Sequence, residues 1–341
     1  MRALTLSIIL ATLLAGAYAA PATQYKVVNK FDLPGDGGWD YLTVDPDSNR
    51  LFISRATHVM VVDRDSGKVV GDIPETQGVH GIALAAEFGK GFISNGRANN
   101  VTVFDLKTLK ELARVPTGER PDAIIFDPAT KRIFAMNGKG QSATAINAQD
   151  NSVAGAIPLG GKPEFAVADG KGRVYVNIED KGEIAEIDSK NLKLLATWKM
   201  PGCEDPSGLA LDKTSHRLFS GCDNKVMAIV DAENGKLVTT VPIGEGVDAN
   251  AFDADKHLAF SSNGGDGTLT VVKEQSPNSF KVLENVSTQR GARTMALDPK
   301  THKIYLVTAS FGPRPPATAD NPNPRPAILP GSFVLLVVAP K

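Results

Sequence analysis

Apolar residues in this chain fall into short runs of four to six, rich in Val, Ile, Phe and Ala. Polar turn signals such as Asp-Pro, Gly-Lys and Asn-Gly divide them. No stretch sustains a 3.6-residue apolar period, so the pattern predicts strands throughout and no helical layer. The runs come in groups of four. One group predicts strands at Gly81–Ala85, Gly91–Ser94, Asn100–Asp105 and Glu111–Val115.

The groups repeat. A Pro follows a β-rich run at Pro74, Pro116, Pro158, Pro201 and Pro242, 41 to 43 residues apart. An acid or Asn ends another run at Asp63, Asp105, Asn147, Asp188 and Asp231, with the same period. A third mark is an Asp opening a short turn, at Asp127, Asp169, Asp212, Asp253 and Asp298. Four antiparallel strands per period of about 40 residues is the signature of a propeller blade. Innermost strands are predicted at Asp40–Asp45, Gly81–Ala85, Asp122–Asp127, Glu164–Ala168, Ser207–Asp212, Asp248–Asp253 and Arg293–Asp298, which makes seven blades. The last repeat lacks a fourth strand after Phe333–Val338, while an orphan strand, Tyr25–Leu33, ends in Leu33-Pro34, the same Pro mark that follows the other fourth strands. The expected fold is therefore all-β, a seven-bladed β-propeller of four-stranded antiparallel blades. The N-terminal strand completes the last blade and removes the exposed edges of an open stack. Residues 21–341 are expected to form one domain.

Residues 1–20 read as a cleaved export signal. Arg2 supplies the charge, Leu4–Leu14 the apolar region and Ala17-Tyr18-Ala19 the cleavage site. The apolar run is short for a membrane span, so no membrane insertion is expected after cleavage, and the location is periplasmic or secreted. Hydrophobic residues at 42% and charged residues at 22% describe a globular chain. A formal charge of −1 supplies no overall field for nucleic acid, so the expected partner is a small molecule or a protein, with no nucleic acid. A closed ring has no edge that demands a partner copy, and a monomer is expected.

The units Phe104-Asp105-Leu106-Lys107-Thr108 and Val62-Asp63-Arg64-Asp65-Ser66-Gly67-Lys68 resemble the strand-plus-turn repeat of the YVTN-type, YncE-like family of bacterial β-propellers. Val174–Asn177, Val-Tyr-Val-Asn, is the nearest match to the family's name motif. The resemblance spans the mature chain. It implies a seven-bladed propeller and an exported protein, and it leaves the activity open, because the architecture serves binding proteins, lactonases and lyases.

A propeller binds ligands where the innermost strands begin. Strand pairing counted from the turns places Asp40 near Arg55, His80 near Asn95, Asp122 near Asn137, Glu164 near Asn177, Asp248 near Asn263 and Arg293 near Thr308. The candidate ligand-binding set is Trp39, Asp40, Arg55, His58, His80, Asn95, Asp122, Asn137, Glu164, Asn177, Asp248, Asn250, Asn263 and Arg293, with Asp205 beside it. Asp and Asn at strand ends also cap turns, so the same amides have a purely local explanation. Trp39 either stacks on a ligand ring or packs between blades. His80, Glu164, Asp248 and Arg293 are the candidate acid, base and oxyanion groups. Asp122, Glu164, Asn177 and Asp248 are hard oxygen ligands suited to Ca²⁺ or Mg²⁺. His216, His257 and His302 fall at turns on the opposite face, which leaves no histidine-rich cluster at the mouth.

Cys203 and Cys222 belong to one blade and one face. The pairing brings Cys222 opposite Pro206, and a disulfide is expected there, with free thiols as the alternative. Residues 312–331 interrupt the last repeat with seven prolines and belong on the mouth face, as a cover or a partner surface. Gly-x-Ser-x-Gly, His-Glu-x-x-His and phosphate-loop motifs are absent. Two functions stay open: a non-catalytic binding module, or a divalent-metal-dependent lactonase, hydrolase or sugar-acid lyase at the same mouth.

Overall fold

The computed structural model describes residues 25–318, 321–322 and 324–341. The signal segment lies outside the described residues. Seven four-stranded sheets, each antiparallel throughout, follow one another around a ring. Six are built from consecutive strands. The seventh has the order Met295–Asp298, Lys303–Thr308, Val334–Pro340 and then Tyr25–Asp32 as its outermost strand. Tyr25 pairs with Pro340 and Asp32 with Val334, so the early strand closes the ring as expected.

Two repeated features hold the blades together. The third residue of every second strand is aromatic and buried: Phe52, Phe92, Phe134, Tyr175, Phe219, Phe260 and Tyr305. These rings fill the space between neighbouring sheets, where an aromatic side chain removes the most surface per residue. The first residue of most second strands is basic, and it reaches outward to the next blade. Lys90 Nζ donates to the Gln149 carbonyl at 2.7 Å. Arg132 donates to the Ser189 carbonyl at 2.8 Å. Arg217 Nε donates to the Pro277 carbonyl at 2.7 Å, and Arg50 to that of Leu106.

The acids that mark the repeat cap turns, as their position suggests. Asp105 Oδ1 accepts from the Thr108 N–H at 2.7 Å and Asp127 Oδ1 from the Ala129 N–H at 3.0 Å. His216, His257 and His302 occupy left-handed positions in the inner turns, with φ of 57°, 50° and 57°. His302 is not merely solvated, because its Nδ1 lies 2.7 Å from Asp253 Oδ2.

One irregularity positions the site. In blades 2 to 6 the innermost strand slips register just after its first residue, between Val79 and Ile82, Pro121 and Ile124, Pro163 and Ala166, Pro206 and Leu209, and Val247 and Ala249. A bulge turns its side chain away from the pleat. The residue displaced each time is the second of the strand.

Candidate functional site

Those second residues, with their counterparts in blades 1 and 7, are Asp40, His80, Asp122, Glu164, Ser207, Asp248 and Arg293. All seven line one cavity of about 600 Å³ at the channel mouth. The cavity is a cup. Tyr41 and Phe165, each one residue further along the strand than a ring member, come from blades on opposite sides and meet as tilted rings with centroids 5.2 Å apart. Burial, and then the charges of Asp122 and Glu164, push the Tyr41 hydroxyl well above its ordinary pKa.

Five consecutive blades carry an alternating chain of charge. Asp122 Oδ1 lies 3.5 Å from His80 Nδ1, and that atom lies 2.6 Å from Asp40 Oδ2. Asp40 Oδ1 lies 3.4 Å from an Arg293 terminal nitrogen. Arg293 Nε donates to Asp248 Oδ2 at 2.5 Å. Burial alone would lower the pKa of His80, but the hydrogen bond to Asp40 and the nearby carboxylates raise it above its ordinary value. Burial raises Asp248 to about 6 against the pull of Arg293, and it raises Asp122 against the pull of His80.

Blades 4 and 5 complete the ring without a matching ion pair within it. Glu164 is pushed up to about 9, first by burial and then by Asp122. Its Oε2 is buried with no hydrogen-bond partner among the described residues, although Lys162 Nζ lies 3.4 Å away. Lys162 is itself engaged by Glu179. Ser207 Oγ donates to the Val247 carbonyl at 3.0 Å. Four carboxyl groups therefore face two cationic side chains in the ring.

The other expected site residues lie elsewhere. Asn95, Asn137 and Asn263 are fully buried. Each amide bridges the following hairpin, donating to residues five and seven positions on: Asn100 and Thr102, Ser142 and Thr144, Thr268 and Thr270. That spacing is visible in the sequence and identifies them as hairpin braces. Asn177 stands one residue before its strand's end, so the pleat turns it toward blade 5, where it donates to the Ser207 and Gly208 carbonyls. Asn250 donates to the Phe219 carbonyl. Arg55 is buried, its guanidinium 3.5 Å over the Phe333 ring and bonded to the Gly35 and Asp36 carbonyls. Trp39 packs against Phe333 and Phe311, with centroids 5.5 and 6.0 Å apart, the inter-blade alternative. His58 stands outside the funnel, 3.6 Å from Asp72 on an outer strand.

The oxygen-ligand set Asp122, Glu164, Asn177 and Asp248 is not brought together, because Asn177 faces the next blade. The close group at the mouth is Asp40, His80 and Asp122, with one potential ligand atom from each within 4.8 Å of the others. The expected disulfide is present, joining Cys203 to Cys222 with Cα atoms 5.3 Å apart. Pro206 pairs with Cys222 as counted, so the bridge pins a mouth loop to the end of the second strand. The proline-rich segment emerges beside the mouth. Phe311 bridges Ile328, the Gly312 N–H donates to the Ala327 carbonyl at 2.8 Å, and Arg325 reaches the cup.

No protein-family model and no curated protein matches the sequence. Among solved structures the chain is similar to U3-55K, with a TM-score of 0.74 and 11% identity over 93% of this chain and 99% of that one. It is similar to the RRP9 WD40 repeats, with a TM-score of 0.75 and 11% identity over 94% and 99%. It is similar to hydrazine synthase of Kuenenia stuttgartiensis, with a TM-score of 0.51 and 16% identity over 72% and 98%. At these identities the likeness is one of fold: the chain is a seven-bladed propeller. Beside the U3-55K and RRP9 propellers, one part of the expected partner set is corrected, the exclusion of nucleic acid. The physical reason is that net charge is a sum and does not describe a face. Arg97, Arg120 and Lys139 gather on one part of the rim, and Arg290, Arg314 and Arg325 on another.

Proposed function

We propose that this protein is an exported binding module whose cup holds a small cationic ligand, an organic amine or a divalent metal ion. The observation that carries this is Glu164: a buried carboxyl group raised to about 9 among other acids, whose one cationic neighbour, Lys162, is shared with Glu179. A cation seated between blades 3, 4 and 6 relieves the repulsion among these carboxyl groups. Glu164 holds its proton at neutral pH, so a cation must displace that proton. Calorimetry in buffers of different ionisation heat tests this with Ca²⁺, Mn²⁺ and a diamine such as putrescine. Saturable binding is expected with release of about one proton per ligand near pH 7.5, lost in Glu164→Gln. Failure of every cation to bind at any pH between 6 and 9 would sink the proposal.

A second reading is a metal-dependent hydrolase or lyase at the same cup. The grouping of Asp40, His80 and Asp122 favours it, with His80 placed to move a proton and Arg293 to stabilise a developing anion. Elemental analysis of the purified mature protein, paired with an activity assay, separates the two. About one divalent ion per chain together with turnover of a lactone or sugar-acid substrate, the turnover lost in His80→Gln while the ion is retained, favours the enzyme, and a bound ion without turnover favours the binding module.

Export rests on Arg2, Leu4–Leu14 and Ala17-Tyr18-Ala19, and the disulfide supports an oxidising compartment. The resemblance to YVTN-type, YncE-like propellers belongs to the same reading. Retention of the full-length, uncleaved protein inside the cell, with none in the periplasm or medium, would overturn it.

A further inference from the structure

Beside the cup, beneath the proline-rich segment, lies a second cavity of about 710 Å³. Its walls are of two kinds. Trp39, Phe311 and Ile328 form an apolar side. Arg290, Arg293, Arg314 and Arg325 form the other; Arg293 is held by Asp40 and Asp248, and none of the remaining three makes an ion pair or side-chain hydrogen bond with the described residues. No described carboxylate lines the cavity.

We propose that this cavity is a second binding site, for a small organic anion with an apolar body, such as an aryl carboxylate, sulfonate or phosphate. Three guanidinium groups converging without counter-charge repel one another, and an anion between them removes that repulsion. The guanidinium fork presents paired N–H donors that match two oxygens of one anionic group. The apolar wall determines the rest of the ligand, because a hydrated inorganic ion leaves Trp39 and Phe311 uncovered while an aryl or alkyl body covers them. The volume lies in the range that encloses small organic ligands. The site does not depend on the cation reading of the cup, since Arg290 and Arg314 lie outside the cup lining.

The test is calorimetric titration of the mature protein with naphthalene-2-sulfonate, with the neutral naphthalene-2-sulfonamide and with inorganic sulfate. The sulfonate is expected to bind at least about tenfold more tightly than either control. The double substitution Arg290→Gln, Arg314→Gln is expected to weaken it by at least about tenfold. Both side chains are exposed, and an unchanged melting temperature verifies folding. Glu164→Gln leaves sulfonate binding intact, so failure here is distinguishable from failure at the cup. Equal affinity for the sulfonamide, equal affinity for sulfate, or indifference to the double substitution would each overturn the proposal. So would displacement of the sulfonate by a single-stranded oligonucleotide at lower concentration than by any aryl acid, which would assign the arginines to nucleic acid.

Discussion

At the scale of single residues, the mouth is set by what each side chain does with its charge. Glu164 has a folded-state pKa far above that of an unfolded glutamic acid. Its contribution to stability is therefore complete below the unfolded value near 4.5 and is lost as pH rises toward 9. Glu164→Gln is expected to melt at the same temperature as the parent at pH 4 and clearly above it at pH 8.5. An equal difference at both pH values would disprove the linkage. The hairpin braces behave in the opposite way, because they are uncharged and their amide nitrogens are paired. Asn137→Ala strands the hydroxyls of Ser142 and Thr144 and is expected to cost about 2 kcal/mol at any pH, read from denaturant midpoints.

Six of the seven ring residues were legible in the sequence, because charged side chains stood out at the start of each innermost strand. Ser207 was not, since it carries no charge and Asp205 stood out as the candidate of that blade. The asparagines misled for a geometric reason. Strand pairing placed them near the mouth, but nothing in that register said whether the amide pointed into the funnel or along the hairpin. The partners at five and seven residues on carried that information.

At the scale of elements, the propeller depends on how closely neighbouring innermost strands can approach. A Cβ placed on Gly208 would lie 2.5 Å from the backbone nitrogen of Asn250 in the next blade, and one on Gly81 would lie 3.0 Å from that of Ile124. Backbone cannot yield as a side-chain tip does, so Gly208→Val is expected to cost about 3 kcal/mol, with a lowered urea midpoint as the measure. The aromatic at the third position of each second strand acts from the other side of the same contact. Phe134→Ala leaves a cavity between blades 3 and 4 and is expected to cost about 4 kcal/mol. The strand count and boundaries could be read from turn chemistry alone. The bulge that aims the ring could not, because it follows from backbone crowding at the mouth and leaves the apolar pattern unchanged.

For the molecule as a whole, closure and cross-linking share the task of keeping the cup rigid. The Cys203–Cys222 bridge closes a separation of 19 residues within blade 5. Replacing both cysteines by serine is expected to cost about 3 kcal/mol and to loosen the loop that carries Asp205, which lines the cup. A matching loss in the parent protein under reductant is the check. The expected partners were the part of the function least legible from sequence, because a sum of charges conceals an acidic cup and an arginine-lined cavity side by side on one face.

The seventh blade also sets how the molecule responds to force. Tyr25 and Pro340 stand opposite each other at one end of an antiparallel pair whose far end joins Asp32 to Val334. Tension applied between residues 25 and 340 therefore acts across the ladder and opens it one rung at a time, as a zipper opens. The same tension applied between residues 32 and 340 acts along the strands and loads all the rungs together. The ring should thus yield at low force in the first geometry and resist in the second.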